Sequence, residues 1–196
     1  LAGSDLVLIR VDGGYLVEHG IGIVAGMSGS PIYVQDRLVG ALSYGWGFSK
    51  EPIGGVTPIQ SMMAELPGSL HPAPALAPWG SLGRLEEPIT LGRQTWREVR
   101  LEPGPTTGSD RALVLSPITT LLQTSGLGPG ALEHLNRSLA PLPLRAVQGF
   151  QGPRPRGGIP PMVPGAAVGV PLLTGDLEIA STGTLTWRQG DAILAF

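Results

Sequence analysis

The sequence is organised around Gly-Met-Ser-Gly-Ser-Pro, residues 26–31. An apolar run, residues 21–25, precedes this stretch and predicts a strand that is buried on both faces. A β-branched and aromatic run, residues 32–34, follows it and predicts a second strand. Glycine tolerates the backbone angles of a tight turn, so we expect a turn between these strands that displays the hydroxyl of Ser28. A displayed hydroxyl is the first requirement of a serine nucleophile.

The composition is that of a folded, β-rich chain. Of its 196 residues, 42% are hydrophobic, and 30 glycines and 20 prolines punctuate short β-branched runs, as in a chain of many strands and turns. Charged residues make up 14% with a net charge of −2, which gives no electrostatic footprint for nucleic acid. The absence of cysteine excludes a disulfide framework, a thiol nucleophile and a cysteine-based zinc site. No metal-ligand spacing or phosphate-binding glycine motif is present, so we expect no cofactor and no metal.

The first residues predict a β-hairpin. Residues 5–11 have the apolar, β-branched character of a buried strand, and residues 15–18 that of a second strand. Asp-Gly-Gly at residues 12–14 is a turn signal between them.

The residues after the serine stretch predict a second reversal and a helix. Residues 35–37 form a tight turn, and residues 38–44 return as a strand that leads into a glycine-rich loop over 45–57. Residues 58–66 predict a short helix with proline at its first position and Thr57 as its N-cap.

The remainder predicts a proline-rich break, a mixed region and a β-meander. Residues 67–88 have the composition of a linker. Strands are predicted at 95–99, 112–115, 167–173, 177–180, 183–187 and 192–196, and helices at 116–123 and 131–139.

The turn at Ser28 supplies a plausible oxyanion hole. The backbone N–H groups of Gly26 and Ser28 could converge on one point and stabilise a developing oxyanion. An α/β-hydrolase elbow has the pattern Gly-x-Ser-x-Gly followed by a helix. Here Ser30 occupies the last position and a strand is predicted next, so the elbow is excluded. A serine turn followed by Gly-Ser-Pro and a strand is the arrangement of trypsin-like double β-barrel proteases.

The residues from Gly26 to Tyr33, followed by Leu-Val-Gly-Ala-Leu-Ser-Tyr at 38–44, resemble the SpoIVB peptidase family (S55), bacterial serine endopeptidases of the trypsin-like clan. The likeness covers residues 5–66 and returns at 164–196, in the manner of a subgroup of large proteins that carry this domain. It implies that the protein cleaves a polypeptide substrate in the bacterial cell envelope or after secretion. Membrane association of a longer parent protein stays open.

The resemblance assigns roles to named residues. Ser28 takes the role of nucleophile, and the Gly26 N–H that of an oxyanion donor. By similarity to the clan, Ser43, Tyr44, Gly45 and Trp46 would pair with the substrate backbone by β-addition.

This sequence departs from the family pattern at the general base. In the family it is a histidine that follows glycine, whereas His19, His71 and His134 each follow another residue. In the resembling subgroup, the stretch like residues 192–196 runs directly into such a Gly-His pair. We therefore expect a piece of a longer protein whose base lies beyond Phe196, and an isolated chain that is inactive.

Three further assignments stay open. His19 could approach Ser28 if its strand lies beside the turn, although a surface histidine at a strand end is the simpler interpretation. Asp5, Asp12 and Asp36 give no assignable triad acid. Trp46 and Phe48 could line a substrate pocket or could simply be half-buried.

The sequence thus predicts a mainly β, trypsin-like double β-barrel architecture with a Pro/Gly-rich, partly helical insertion, incomplete at both ends. The predicted segments are a serine-bearing β unit (1–66), a linker (67–88), a mixed insertion (89–165) and the start of a second β unit (166–196). The alternative function is a catalytically degenerate peptide-binding module or a structural envelope module, with Ser28 a simple turn residue.

Overall fold

The computed structural model describes residues 6–46, 52–67, 80–91, 94–104, 111–149 and 161–196. Within these residues the chain forms two β-sheets and three short helices. The strands are β1 (Val7–Arg10), β2 (Pro31–Val34), β3 (Arg37–Trp46), β4 (Ile53–Pro58), β5 (Leu82–Leu91), β6 (Gln94–Leu101), β7 (Leu113–Pro117), β8 (Thr120–Ser125), β9 (Leu144–Gln148), β10 (Ala167–Leu173), β11 (Glu178–Gln189) and β12 (Ala192–Ala195). The helices are α1 (Gly14–Glu18), α2 (Ile59–Met63) and α3 (Pro129–Leu139).

The first sheet contains seven strands, and these strands supply most of the side chains of two buried hydrophobic clusters. Its strand order is β1-β4-β3-β7-β6-β5, and β2 pairs with β3. All of its pairs are antiparallel except β6 with β7. The larger cluster consists of Ile53, Trp96, Val99, Leu101, Leu113 and Leu115.

The β2–β3 hairpin follows the serine turn directly. Its loop consists of Gln35 and Asp36, whose φ angles are 50° and 60°. Positive φ at both central residues is typical of the two-residue turn whose twist matches that of the flanking strands. The predicted reversal and the predicted strand over residues 38–44 are therefore both confirmed, and the strand runs on to Trp46.

The second sheet has the order β10-β11-β8-β9, with β12 paired to β11. Its strands β8 and β9 are parallel, and α3 connects them. The side chain of Asn136 on α3 bonds both backbone groups of Ala146: its amide donates to the carbonyl at 2.9 Å and its oxygen accepts from the N–H at 2.8 Å. These two bonds fix the helix to β9, and the helix predicted at residues 131–139 is confirmed.

The predicted mainly β class is confirmed, and the curled, half-barrel form of the first sheet is consistent with a trypsin-like fold. Residues 82–88, assigned from composition to the linker, lie in β5, and residues 68–79 lie outside the described residues. The division into domains stays a prediction. Within the part of the chain that the structure describes, no helix has the length and apolar character to cross a membrane.

Two predictions for the first residues are wrong. Residues 14–18 form α1 rather than a hairpin strand, and β1 pairs with β4, so that Leu8 lies opposite Gly55. Residues 21–25 form no strand; instead, Ile23 packs against the buried Leu42 and Val56. Ile23 of this apolar run thus contributes to the core without strand pairing, whereas Val24 and Ala25 are exposed.

Three further predictions are corrected. The segment predicted as a helix at residues 116–123 contains most of β8, because this segment pairs with β11 and β9. The predicted glycine-rich loop over 45–57 contains most of β4. Pro58, rather than Thr57, occupies the N-cap of α2, and the hydroxyl of Thr57 shares a 2.7 Å hydrogen bond with that of Ser43.

Candidate active site

Ser28 lies in the loop between α1 and β2, in a turn that is tied to the first sheet. The N–H of Gly29 donates to the carbonyl of Leu42 at 2.8 Å, and the N–H of Leu42 donates to the carbonyl of Ser30 at 2.9 Å. The N–H of Ser30 closes the turn on the carbonyl of Met27 at 3.1 Å. The residues after the nucleophile candidate are therefore an extension of the β2–β3 ladder.

Two glycines in the left-handed region shape this turn. Gly26 has a φ of 91° and Gly29 a φ of 84°, angles that side-chain-bearing residues rarely adopt. The turn leaves Gly26 exposed and Ser28 only 7% exposed.

The backbone N–H groups of Gly26 and Ser28 differ from those of their neighbours. Within the described residues neither of them donates a hydrogen bond, whereas Met27, Gly29 and Ser30 each donate one. No hydrogen bond joins the Ser28 hydroxyl to another described residue. The turn thus contains a hydroxyl and two N–H donors that have no partner within the described residues.

The second sheet reaches the serine turn through β11 and the residue after β12. The hydroxyl of Thr186 donates to the carbonyl of Gly29 at 2.8 Å. The carbonyl of Thr184 lies 2.6 Å from the point that a Cβ on Gly29 would occupy, and the backbone nitrogen of Phe196 lies 3.1 Å from it. Phe196 in turn pairs with Thr184 through two backbone hydrogen bonds of 2.9 and 3.3 Å.

Neither described histidine is bonded to Ser28. His19 caps the end of α1, where its Nδ1–H donates to the carbonyl of Tyr15 at 2.9 Å and its ring stacks on the Tyr15 ring. His134 is exposed on α3, and His71 lies outside the described residues. The structure therefore brings no described histidine into contact with the nucleophile candidate.

The carboxylates considered as orienting acids are also away from any such contact. Asp12 and Asp36 are exposed, the first before α1 and the second in the β2–β3 turn, and Asp5 lies outside the described residues. Across the described ranges no group of three or more histidine, aspartate or glutamate side chains could hold a metal ion.

The strand proposed to receive substrate already has neighbours on both sides. Tyr44 pairs with Gly55 of β4 and with Pro117 of β7, and Trp46 pairs with Leu115 of β7. Gly45 likewise pairs with Gly54 of β4 and Ser116 of β7. Because a peptide can add only to an unpaired edge, β-addition at Tyr44 and Gly45 conflicts with this strand order.

The side chains of the same strand belong to the interior. The Ser43 hydroxyl donates to the carbonyl of Ala41 at 2.9 Å, and the Trp46 ring meets that of Trp96 edge-on at 5.2 Å. Burial raises the pKa of Tyr44 above its usual value. Trp46 therefore packs in the core, and Phe48, the other aromatic considered for a pocket, lies outside the described residues.

A cavity of about 620 Å³ lies elsewhere, between the two edges of the first sheet. Its lining comes from residues 6–8 at β1, from residues 83–87 and Ile89 of β5 and from Val99, and it excludes the serine turn. The cavity marks the open seam of the half-barrel and is not part of the candidate active site.

Sequence reasoning missed three residues that fix the serine turn, namely Gly29, Thr184 and Thr186. The sequence pattern marks Gly29 only as a turn glycine, although the backbone of β11 leaves no space for a Cβ there. The Gly-Thr-Leu-Thr stretch at 183–186 carried part of the family resemblance, and this was the available signal. Residues 183–186 and the serine turn are far apart in the chain, and local sequence patterns do not reveal a contact between such distant residues.

Comparison with known protein families gives a match to the first part of the chain. Residues 2–63, which include the serine turn, the β2–β3 hairpin and β4, match the family model described as SpoIVB peptidase S55. The resemblance drawn from the sequence is thereby confirmed for this segment. No curated protein and no solved structure matches the chain.

Proposed function

Because residues 2–63 match the SpoIVB peptidase family, we propose that this chain carries the nucleophile of a serine endopeptidase that hydrolyses polypeptides. Ser28 is the nucleophile, and the N–H groups of Gly26 and Ser28 form the oxyanion hole. The general base is a histidine supplied by the chain that follows Phe196.

The observation that carries the proposal is the pair of unbonded N–H groups around Ser28. Ser28 is only 7% exposed, and buried backbone donors nearly always have partners, so its unbonded N–H favours a binding role. The N–H of Gly26, an exposed residue, is the second unbonded donor. An oxyanion hole requires donors that are fixed before the substrate arrives. The bonds made by Met27, Gly29 and Ser30 supply that fixation.

The reaction follows from these groups. The Ser28 oxygen attacks the scissile carbonyl carbon while the base takes the hydroxyl proton. The carbonyl oxygen becomes an oxyanion, which the N–H groups of Gly26 and Ser28 bind. The C–N bond then breaks, and the departing amine takes the proton from the base. Water hydrolyses the ester on Ser28 by the same steps and restores the enzyme.

The position of Phe196 supports a base from the following chain. Its backbone lies against Gly29, the residue next to the nucleophile. Successive Cα atoms are about 3.8 Å apart, so a histidine one or two residues beyond Phe196 lies within reach of the serine turn. The described histidines, by contrast, are an exposed residue on α3 and one bonded to Tyr15.

A second candidate is peptide binding without cleavage. The observation that favours it is the lack of any described histidine at Ser28, since a degenerate peptidase can keep its serine after losing its base. The two candidates differ in a single property, which is hydrolysis that depends on Ser28.

The test compares Ser28→Ala with Ser138→Ala in the full-length protein, with a quenched fluorescent unfolded protein as substrate. Ser138 is a suitable control because it is exposed on α3 and bonds only within that helix. We expect Ser28→Ala to lower kcat/KM by at least about a thousandfold and Ser138→Ala to leave it within about twofold. Equal cleavage by the two variants would contradict the proposal.

A further inference from the structure

We propose that Thr186 is a positioning residue for Ser28, because the Thr186 hydroxyl holds the carbonyl of Gly29, the residue that follows the nucleophile. This inference rests on the proposed function and deepens it, because it assigns part of the active-site geometry to the second sheet.

Thr186 is completely buried, and its hydroxyl donates to the carbonyl of Gly29 at 2.8 Å. Gly29 directly follows Ser28, whereas Thr186 belongs to a strand that enters the fold at the far end of the chain. The bond is therefore a tertiary contact between β11 and the serine turn. A buried hydroxyl that bonds a backbone carbonyl has one defined orientation, so it can fix the carbonyl that it binds.

The other polar atom of Gly29 is held from the opposite direction. Its N–H donates to the carbonyl of Leu42 on β3 at 2.8 Å. Strands of both sheets thus hold the two backbone polar groups of this residue, and the left-handed φ of Gly29 is set between them. The hydroxyl and N–H of Ser28 have no partner among the described residues, so its orientation depends on the bonds of its neighbours.

Strand β11 also pairs with Phe196, the residue that precedes the proposed histidine base. Thr184 pairs with Phe196, and Thr186, two residues along β11, bonds Gly29. One strand therefore sets the distance between the nucleophile turn and the segment that leads to the base. Loss of the Thr186 hydroxyl frees the Gly29 carbonyl and lets the turn move relative to that segment.

The test uses three variants of the full-length protein, Thr186→Val, Thr186→Ser and Thr124→Val. Valine keeps the branched shape but removes the donor, and serine keeps the donor. Thr124 is the matched control: it is 1% exposed and its hydroxyl also donates to a backbone carbonyl, that of Val147 at 3.1 Å, in the second sheet. The readouts are kcat, KM, the rate of labelling by a fluorophosphonate probe, and unfolding by denaturant.

We expect Thr186→Val to lower kcat and the labelling rate by about tenfold to a hundredfold, with KM changed by less than about threefold, because small displacements of a reacting group have effects of this size. Thr186→Ser should restore both rates to within about threefold. Thr124→Val should lose stability without a change in kcat.

If Thr186 had a purely structural role, its substitution would lower the free energy of unfolding and leave kcat and the labelling rate unchanged. If Thr186→Val and Thr124→Val lose stability to the same extent and both keep the kcat and labelling rate of the unsubstituted protein, the positioning role is wrong. If the unsubstituted protein is not labelled at Ser28, the proposed function fails and this inference fails with it. Should Thr186→Val be recovered unfolded, Thr186→Cys replaces it, because a thiol is a weak donor. Labelling of the cysteine variant as fast as that of Thr186→Ser would then overturn the proposal.

Discussion

The backbone nitrogen of Phe196 lies 3.1 Å from the point that a Cβ on Gly29 would occupy. Gly29 follows the nucleophile candidate, and Phe196 follows the last strand of the second sheet, so this contact joins the serine turn to the second sheet. It holds only while residue 29 has no side chain.

Gly29→Ala should therefore destabilise the fold more than Gly26→Ala does. Both glycines have positive φ, which costs an alanine about 1–2 kcal/mol in either position. A Cβ at residue 26 meets no atom within 4 Å, whereas one at residue 29 lies 2.6 Å from the carbonyl of Thr184. Overpacking of this kind adds about 1–3 kcal/mol. Denaturant unfolding of the two variants measures the difference, and equal losses would show that β11 does not press on Gly29.

Tyr44 should make the fold less stable in alkaline solution. Burial raises its pKa above the usual value of 10.0, so the folded state retains the phenol proton at a pH where the unfolded state has lost it. The folded state then binds more protons, and the free energy of unfolding falls as the pH rises through 10.0 and above. Unfolding by denaturant at a series of alkaline pH values measures this slope.

Tyr44→Phe should reduce the slope, because phenylalanine has no proton to lose. Tyr15→Phe is the control, since that ring is 67% exposed. An unchanged slope in the Tyr44 variant would contradict the assignment.

The β2–β3 hairpin and the serine turn could be predicted because their signals are local. Two turn residues at 35 and 36 join a β-branched, aromatic run to an apolar run, and glycines lie on both sides of Ser28 within the same short stretch. Neighbouring residues determine each of these features, and both the hairpin and the serine turn are present in the structure.

The strands β4 and β8 could not be predicted because distant residues decide them. In β4, Gly54 and Gly55 suggest a loop, but the Cβ of Tyr44 lies only 3.0 Å from the point that a Cβ on Gly55 would occupy, so this glycine permits close packing against β3. The β8 segment has an apolar spacing compatible with a helix, and pairing with both β9 and β11 makes it a strand. The predicted substrate strand conflicts with the structure for a related reason, because β7, which pairs with β3 at Tyr44–Trp46, comes much later in the chain.

The proposed base gives a prediction about chain length. The chain ending at Phe196 should show no hydrolase activity, because no described histidine contacts Ser28. A longer chain that includes the proposed glycine-histidine pair should cleave an unfolded protein substrate. Replacement of that histidine by glutamine should lower kcat by at least about a thousandfold. Activity in the shorter chain would show instead that a residue within it, with His19 the first to test by substitution, serves as the base.

The central claim is that Ser28 is an activated nucleophile, and covalent labelling tests it most directly. The full-length protein is treated with a fluorophosphonate probe, digested, and the labelled residue is located by mass spectrometry. We predict a single modified serine, Ser28, with labelling abolished by Ser28→Ala and retained in Ser138→Ala. A folded full-length protein that remains unlabelled at Ser28, or labelling that survives Ser28→Ala, would contradict the account.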